Sequence, residues 1–252
     1  MIIFMVLMVM FTCYTFKLIF NYILNGDFSK GKIGEKIVAD ILEQIPGNKK
    51  IINNIMINDN GKSRQIDHIF INNKGVFVIE TKNYSGSVYG KETSNEWTQF
   101  LNNEKYNFTN PIFQNYAHKQ IVSKIIDDNR NVISVIVFTR RCNLKVKTFR
   151  NTVIYTTELK SFILNQENRL NDKQVDEYYN KIMESRITDE EVLKNHNYNV
   201  KHYIEYKNDL IDKNICPRCK SGELVVRQSK YGSFLGCSNY PKCRYTKSIS
   251  KV

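Results

Sequence analysis

Polar and apolar side chains alternate from Gln65 to Ile71, Asn72 to Gly75 interrupt them, and Val76 to Ile79 run apolar. Period-two alternation followed by an Asn/Lys/Gly break and a second apolar run predicts a β-hairpin. Val132 to Thr139 is almost continuously apolar, as expected of a buried central strand, and Val153 to Tyr155 predicts a shorter one. Helical patterning opens at KGKIGEKIVADIL and returns from Pro111 to Asp127, where Ile112, Tyr116, Ile121 and Ile125 recur at helical spacing. Leu159 to Leu164 predicts another helix. Residues 165–213 contain no glycine or proline and show weak heptad-like apolar spacing, which predicts a partly exposed helical stretch. The fold class expected is α/β, a mixed sheet flanked by helices.

The first residues carry a different pattern. Met1 to Phe16 holds no charge, Lys17 interrupts, and Leu18 to Leu24 continues apolar. As a helix, twenty-four residues reach about 36 Å, enough for a hydrocarbon core of about 30 Å. No early positive charge and no small-residue cleavage site suggest a signal peptide. Lys30, Lys32 and Lys36 follow the segment and no basic residue precedes it. The expectation is therefore a single-pass anchor in the cell membrane, with the remainder cytoplasmic. A cytoplasmic location keeps thiols reduced, so cysteines are expected to bind metal rather than pair.

Within the hairpin, Asp67 falls on the first strand and Glu80 and Lys82 near the end of the second. Residues two apart on a strand share a face, so Glu80 and Lys82 project together. Two carboxylates suit a hard cation such as Mg²⁺, and an ammonium beside them can orient a water or stabilise charge on a phosphate. Glu35, in Gly31-x-x-Gly34-Glu35 on the first helix, is either a third acidic group at this site or an ordinary surface glutamate. Gln65 and Gln114 are weaker candidates for its edge. His68 points to the opposite strand face, which favours a buried, hydrogen-bonded histidine over a catalytic one.

With KGKIGEKIVADIL, QIDHIFI, GVFVIETKNYSG, the lone tryptophan in NEWTQF and NPIFQN in order over roughly residues 30–120, the chain resembles the nuclease-related domain (NERD) family of the PD-(D/E)xK nuclease superfamily. It departs from that pattern in having Ile66, not proline, before Asp67. The resemblance implies a restriction-endonuclease-like core and a Mg²⁺-dependent deoxyribonuclease. It also implies that Asp67, Glu80 and the Thr81 carbonyl ligate the metal. Lys82 would orient the attacking water, Glu35 would assist, and cleavage would leave a 5′-phosphate.

Near the C-terminus stand Cys216-Pro217-Arg218-Cys219 and, after seventeen intervening residues, Cys237 and Cys243. Four thiolates in two close pairs match tetrahedral Zn²⁺ with no open position, a structural site. Between the pairs, ELVVRQSKYGSFLGC predicts two strands around a Lys230-Tyr231-Gly232 turn. CPRC, Tyr231-Gly232-x-Phe234, Gly236-Cys237, Tyr240-Pro241-x-Cys243 and Tyr245 resemble the zinc ribbon at the C-terminus of bacterial type IA DNA topoisomerases, which binds single-stranded DNA. No transesterification domain is expected in so short a chain.

Charge sharpens the picture. Residues 214–252 hold eight lysines and arginines against one acid, a surplus of seven out of a net charge of +12. Interleaved aromatics there can stack bases while the cations follow phosphates; Phe234 or Tyr245 is the expected exposed stacker. With 27 Lys to 10 Arg, genome composition accounts for part of the total, but not for the clustering. No glycine-rich phosphate loop is evident, so no nucleotide site is expected. The expected organisation is an anchor at 1–24, a nuclease-like domain at 30–158, a helical connector at 159–213 and a zinc ribbon at 214–252. The functional expectation is a membrane-anchored nuclease on single-stranded or branched DNA, its rival a non-catalytic DNA tether on a nuclease fold. RNA stands as a further possible substrate.

Overall fold

The computed structural model of the protein describes residues 30–59, 61–190, 202–203, 205–229 and 232–249. A first sheet has the order β1-β2-β3-β7-β9, built from β1 (Lys49–Asp59), β2 (Lys62–Asn72), β3 (Gly75–Lys82), β7 (Val132–Phe138) and β9 (Thr152–Tyr155). The first three strands are antiparallel, whereas β3, β7 and β9 run parallel. β3 is buried along nearly its whole length, which is why its sequence shows no alternation.

Helices cover both faces of this sheet. On one face, α1 (Lys30–Glu43) and α3 (Thr156–Leu164) deliver Val38, Leu42, Leu159 and Ile163 onto Phe70, Phe77 and Ile79. On the other, α2 (Pro111–Ile126) and α4 (Asp172–Glu184) deliver Val122, Ile126, Val175 and Ile182 onto Ile69, Ile71, Val76 and Val78. A partly exposed helical stretch was expected where α4 lies. The helix is there with one face exposed, and its Val175, Tyr178 and Ile182 are sealed into the first sheet's core.

A second sheet, of order β6-β5-β4-β8, comprises β4 (Gly86–Lys91), β5 (Glu96–Leu101), β6 (Glu104–Thr109) and β8 (Cys142–Lys147). Strands β4 and β8 are parallel, like β3 and β7 from which the chain enters them. Two parallel strands thus pass side by side from the first sheet into the second. Trp97, fully buried, stacks on Phe138 with ring centroids 6.2 Å apart and donates its indole N–H to the Lys91 carbonyl at 3.0 Å. Gly90 lies under that ring, where any β-carbon would collide with it. Asn110 caps α2 by accepting from the Ile112 amide and donates its own amide group to the carbonyls of Glu92 and Ser94. The tryptophan and the Asn110-Pro111 pair therefore lock the second sheet to the first.

The C-terminal ribbon contains β10 (Leu224–Ser229), β11 (Gly232–Cys237) and β12 (Thr246–Ser248) in one antiparallel sheet. Lys230 and Tyr231 of the expected turn lie outside the described residues.

Among the described residues no helix is long and apolar enough to cross a membrane. The longest, α2, has 16 residues, short of the roughly 20 that a bilayer requires. This overturns the expected single-pass location in the cell membrane. Met1 to Leu24, on which that expectation rested, lies outside the described residues.

Candidate active site and zinc centre

Where β3 leaves the first sheet, three expected side chains converge. The β2–β3 ladder ends at the pair His68↔Ile79, and beyond it the two strands part. Asp67 fills the fork, its Oδ2 accepting the Thr81 amide hydrogen at 2.8 Å. Glu80 and Lys82 share a face, and Lys82 Nζ donates to Glu80 Oε1 at 2.6 Å. Gln114 on α2 accepts from the same ammonium at 3.2 Å.

Glu35 approaches from α1. Gly34 lets the helix come this close, since a β-carbon there would sit 2.8 Å from that of Asn83. Asn83 completes the fit, donating to the Lys30 carbonyl at 2.5 Å and accepting from Thr139 Oγ1 at 2.6 Å. Glu35 is half-buried, and its carboxyl is raised by desolvation and then by Asp67. The electrostatic coupling puts Glu35 at the edge of the cluster. Gln65 is not drawn in; it is exposed and donates to Asn54 at 2.7 Å.

Sequence reasoning missed His118. It is buried on α2, one helical turn beyond Gln114, with Nδ1 3.5 Å from Glu80 Oε2. Its only local signal was that i, i+4 spacing, which is common on any helix. Burial pushes its imidazole down to about 4, so it is neutral at pH 7. Asn115, its neighbour on α2, donates to the Val78 and Val135 carbonyls and so clamps the helix across β3 and β7. His68 faces away from the cluster, buried and 2.8 Å from Asn53 Oδ1.

Electrostatically the site sets the carboxyls of Asp67, Glu80 and, at its rim, Glu35 against the single ammonium of Lys82. Desolvation, then the neighbouring Glu80, lifts Asp67 to about 7. Glu80 is raised by its own burial, against the pull of Lys82. Burial by itself would lower Lys82, but the charge and hydrogen bond of Glu80 outweigh it, so Lys82 stays protonated. Glu80 Oε2 is buried with no hydrogen-bond partner. An orphaned buried carboxylate oxygen beside a second carboxylate fits a hard divalent cation, which would supply a missing partner to the one and neutralise both.

The thiolates make a tighter set. Sγ of Cys216 and Cys243 lie 3.7 Å apart, and Sγ of Cys219 and Cys237 3.5 Å. All four lie within 4.8 Å of one another, the one such group of three or more metal-ligating side chains among the described residues. Tetrahedral Zn–S bonds of about 2.3 Å place sulfurs about 3.8 Å apart, so the four cysteines fit structural zinc. Gly222 is needed beside them, since a β-carbon would lie 2.5 Å from Cys237 Sγ. The Ser221 amide, first among several donors, lowers Cys219 to about 5, which favours the thiolate a metal requires. Of the expected stackers, Tyr245 packs half-buried against the cysteine cluster, whereas Phe234 lines an open cleft. Cys142 is buried in the second sheet's core, its thiol pushed up to about 11.

Known proteins divide along the same line as the two centres. The family model of the nuclease-related domain matches residues 30–139, and that of the topoisomerase DNA-binding C4 zinc finger matches residues 213–252. An uncharacterised protein of Bacillus anthracis is 35% identical over 173 residues, 66% of this chain and 82% of that protein. DNA topoisomerase 1 of Rickettsia bellii is 55% identical over 38 residues, and that of Methanocaldococcus jannaschii 54% over 37. Each of those matches spans 15% of this chain and only 5% of the topoisomerase. No solved structure matches.

Proposed function

We propose that this chain, which belongs to the nuclease-related domain family and ends in a topoisomerase-type C4 zinc ribbon, hydrolyses phosphodiester bonds in DNA with a divalent metal. One observation carries the reading: Asp67, Glu80 and Lys82 meet at the β2–β3 fork with Glu80 Oε2 buried and unpartnered. The mixed sheet between helix layers agrees with a restriction-endonuclease-like core. Asp67, Glu80 and the Thr81 carbonyl would hold Mg²⁺. The ion's chemistry is to polarise a phosphate oxygen and acidify a bound water.

The chain's own groups have distinct tasks. Lys82, kept protonated by Glu80 and steadied by Gln114, donates hydrogen bonds and positive charge; it orients the attacking water and opposes charge growing on the phosphate. Glu35 stands at the rim, half-buried, as an auxiliary carboxylate. His118 backs Glu80 as a neutral ring, its Nδ1 3.5 Å from Oε2. The ribbon supplies affinity for DNA, single-stranded or locally opened, through cations and aromatic rings.

Incubating the purified protein with labelled single-stranded, duplex and branched DNA, with and without Mg²⁺, tests this. Cleavage should require the metal. Asp67→Asn and Lys82→Ala should each slow it by about 10²–10³-fold. Both should bind DNA nearly as tightly as the parent, because these groups act on charge that develops in the transition state. Tight DNA binding with no cleavage under any metal would instead make the protein a tether.

A further inference from the structure

The outer face of the second sheet has no role in the proposed chemistry, yet its composition is not that of a merely solvated surface. Side chains alternate strictly. Val88, Trp97, Phe108, Leu144 and Val146 point into the core shared with Phe138. Their neighbours in sequence point out. The register aligns those outward residues in rows: Asn107, Thr98, Tyr89 and Lys145 form one, and Lys105, Phe100, Ser87 and Asn143 the next. Tyr89 and Phe100 meet edge to face with centroids 5.3 Å apart. Lys145 lies over the Tyr89 ring at 5.0 Å and donates to its hydroxyl at 2.9 Å. Lys91 and Lys147 continue the basic edge, paired in register and both exposed. Against Lys91, Lys105, Lys145 and Lys147 the outward positions of the four strands present one acid, Glu96.

The ribbon roofs one end of this face. Asn107 and Thr246 approach to 3.4 Å, and between the ribbon and the β5–β6 hairpin opens a cleft of about 650 Å³. Phe100, Asn102 and Asn107 line it from the sheet, and Phe234, Ser233 and Lys247 from the ribbon. Aromatic rings come from both walls and lysines, Lys105 and Lys247, stand at both rims, interleaved with amides and hydroxyls and a single carboxylate, Glu104. A chain of alternating flat rings and phosphates suits it, since rings stack on Phe and Tyr while each phosphate meets a lysine.

We propose that the outer face of the second sheet, entered through the cleft beneath the ribbon, is a platform for single-stranded DNA. The strand runs from Phe234 and Phe100, across Tyr89, to Lys145 and Lys147. It rests on the reading of DNA as substrate, and adds to it a second contact surface continuous with the ribbon. β4 leads back through Tyr84 to Lys82, and the Tyr84 ring packs tilted against Phe108 of β6 with centroids 4.5 Å apart, which ties the sheet to the end of β3.

The full-length protein and K145A/K147A, an exposed pair away from the carboxylates and cysteines, are compared for binding of a fluorescent 20-mer by anisotropy over a salt series. The variant should bind about 5- to 30-fold more weakly, with the log–log salt slope reduced by about 1.4, since a single strand yields about 0.7 per phosphate contact. Hydrolysis of bis(p-nitrophenyl) phosphate, too small to reach the platform, should be unchanged. An oligonucleotide carrying 5-iododeoxyuridine should photocross-link to Tyr89, Phe100 or Phe234. Unchanged affinity and slope in the variant, with cross-links confined to the ribbon's far side, would overturn the platform while leaving the nuclease reading intact. Platform binding without diester hydrolysis by the parent would overturn the nuclease and leave the platform standing.

Discussion

At the scale of single residues, the site holds more negative charge than a folded interior tolerates without help. Asp67 sits near 7 because burial and then Glu80 disfavour its ionised form. Its folded pKa is raised above the unfolded value of about 3.9, so in the metal-free protein ionising Asp67 costs stability. That loss accumulates as pH rises from about 4 to about 7 and is complete above it. Asp67→Asn should therefore raise Tm in EDTA at pH 8, by about 2–4 °C for each kcal/mol of relieved strain. The gain should shrink in Mg²⁺, which stabilises the parent alone. Melting curves of both proteins in EDTA and in Mg²⁺ check this; a lower Tm for the variant in EDTA would mean that the carboxylate is compensated by groups other than a metal. Asp67, Glu80 and Lys82 were legible in the sequence because a strand's period of two fixes which neighbours share a face. His118 was not, because nothing near it in the chain indicates that its ring would lie against Glu80, 38 residues earlier.

Among the elements, α4 shows how a stretch that reads as a polar connector becomes part of a core. Asn171 caps it reciprocally with Gln174, and its apolar stripe of Val175, Tyr178 and Ile182 is narrow enough to look weak in a polar sequence. Tyr178 anchors the helix across the end of α2 by donating its hydroxyl to Asp128 at 2.8 Å. Asp128 also accepts from the backbone of Arg130 and Asn131. Burial opposes its ionised form, but these hydrogen bonds outweigh it and leave its pKa below the ordinary value. A depressed carboxyl contributes stability that is fully present above the unfolded pKa and is lost as pH falls through the folded one. Urea denaturation should therefore show the parent losing more stability between pH 5 and pH 3 than Asp128→Asn does. Tyr178→Phe should cost about 0.5–1.5 kcal/mol at pH 7. Equal acid sensitivity of the parent and Asp128→Asn would mean that this contact does not hold the helix.

For the whole molecule, zinc and sheet packing divide the work of folding. The ribbon's buried core is little more than Ile211, Leu224 and the cysteines themselves, too small to carry a fold without the metal. Cys237→Ser should reduce bound zinc from one per chain to almost none, measured by elemental analysis, and should weaken single-stranded DNA binding. The main melting transition should remain, because the two sheets have their own cores. Retention of zinc in the variant would reassign the site. A loss of both zinc and the main transition would mean that the ribbon props up the rest of the chain.

The sequence alone determined the hairpin, its three charged residues and the four-cysteine site, since each depends on spacings of a few residues or on two local turns. It also placed the buried strand Val132–Phe138 and the helix Pro111–Ile126, whose apolar runs are long enough to identify themselves. The second sheet escaped it. Each of its strands is only six residues long, β4 carries two glycines, and most outward positions are as polar as a loop's. Only packing made them a sheet. Trp97 needed Phe138 to stack on and Gly90 beneath it, and β4 needed β8, more than fifty residues away, to pair with. The rows of lysine and aromatic side chains exist through cross-strand register, which a sequence does not state until its strands have found one another.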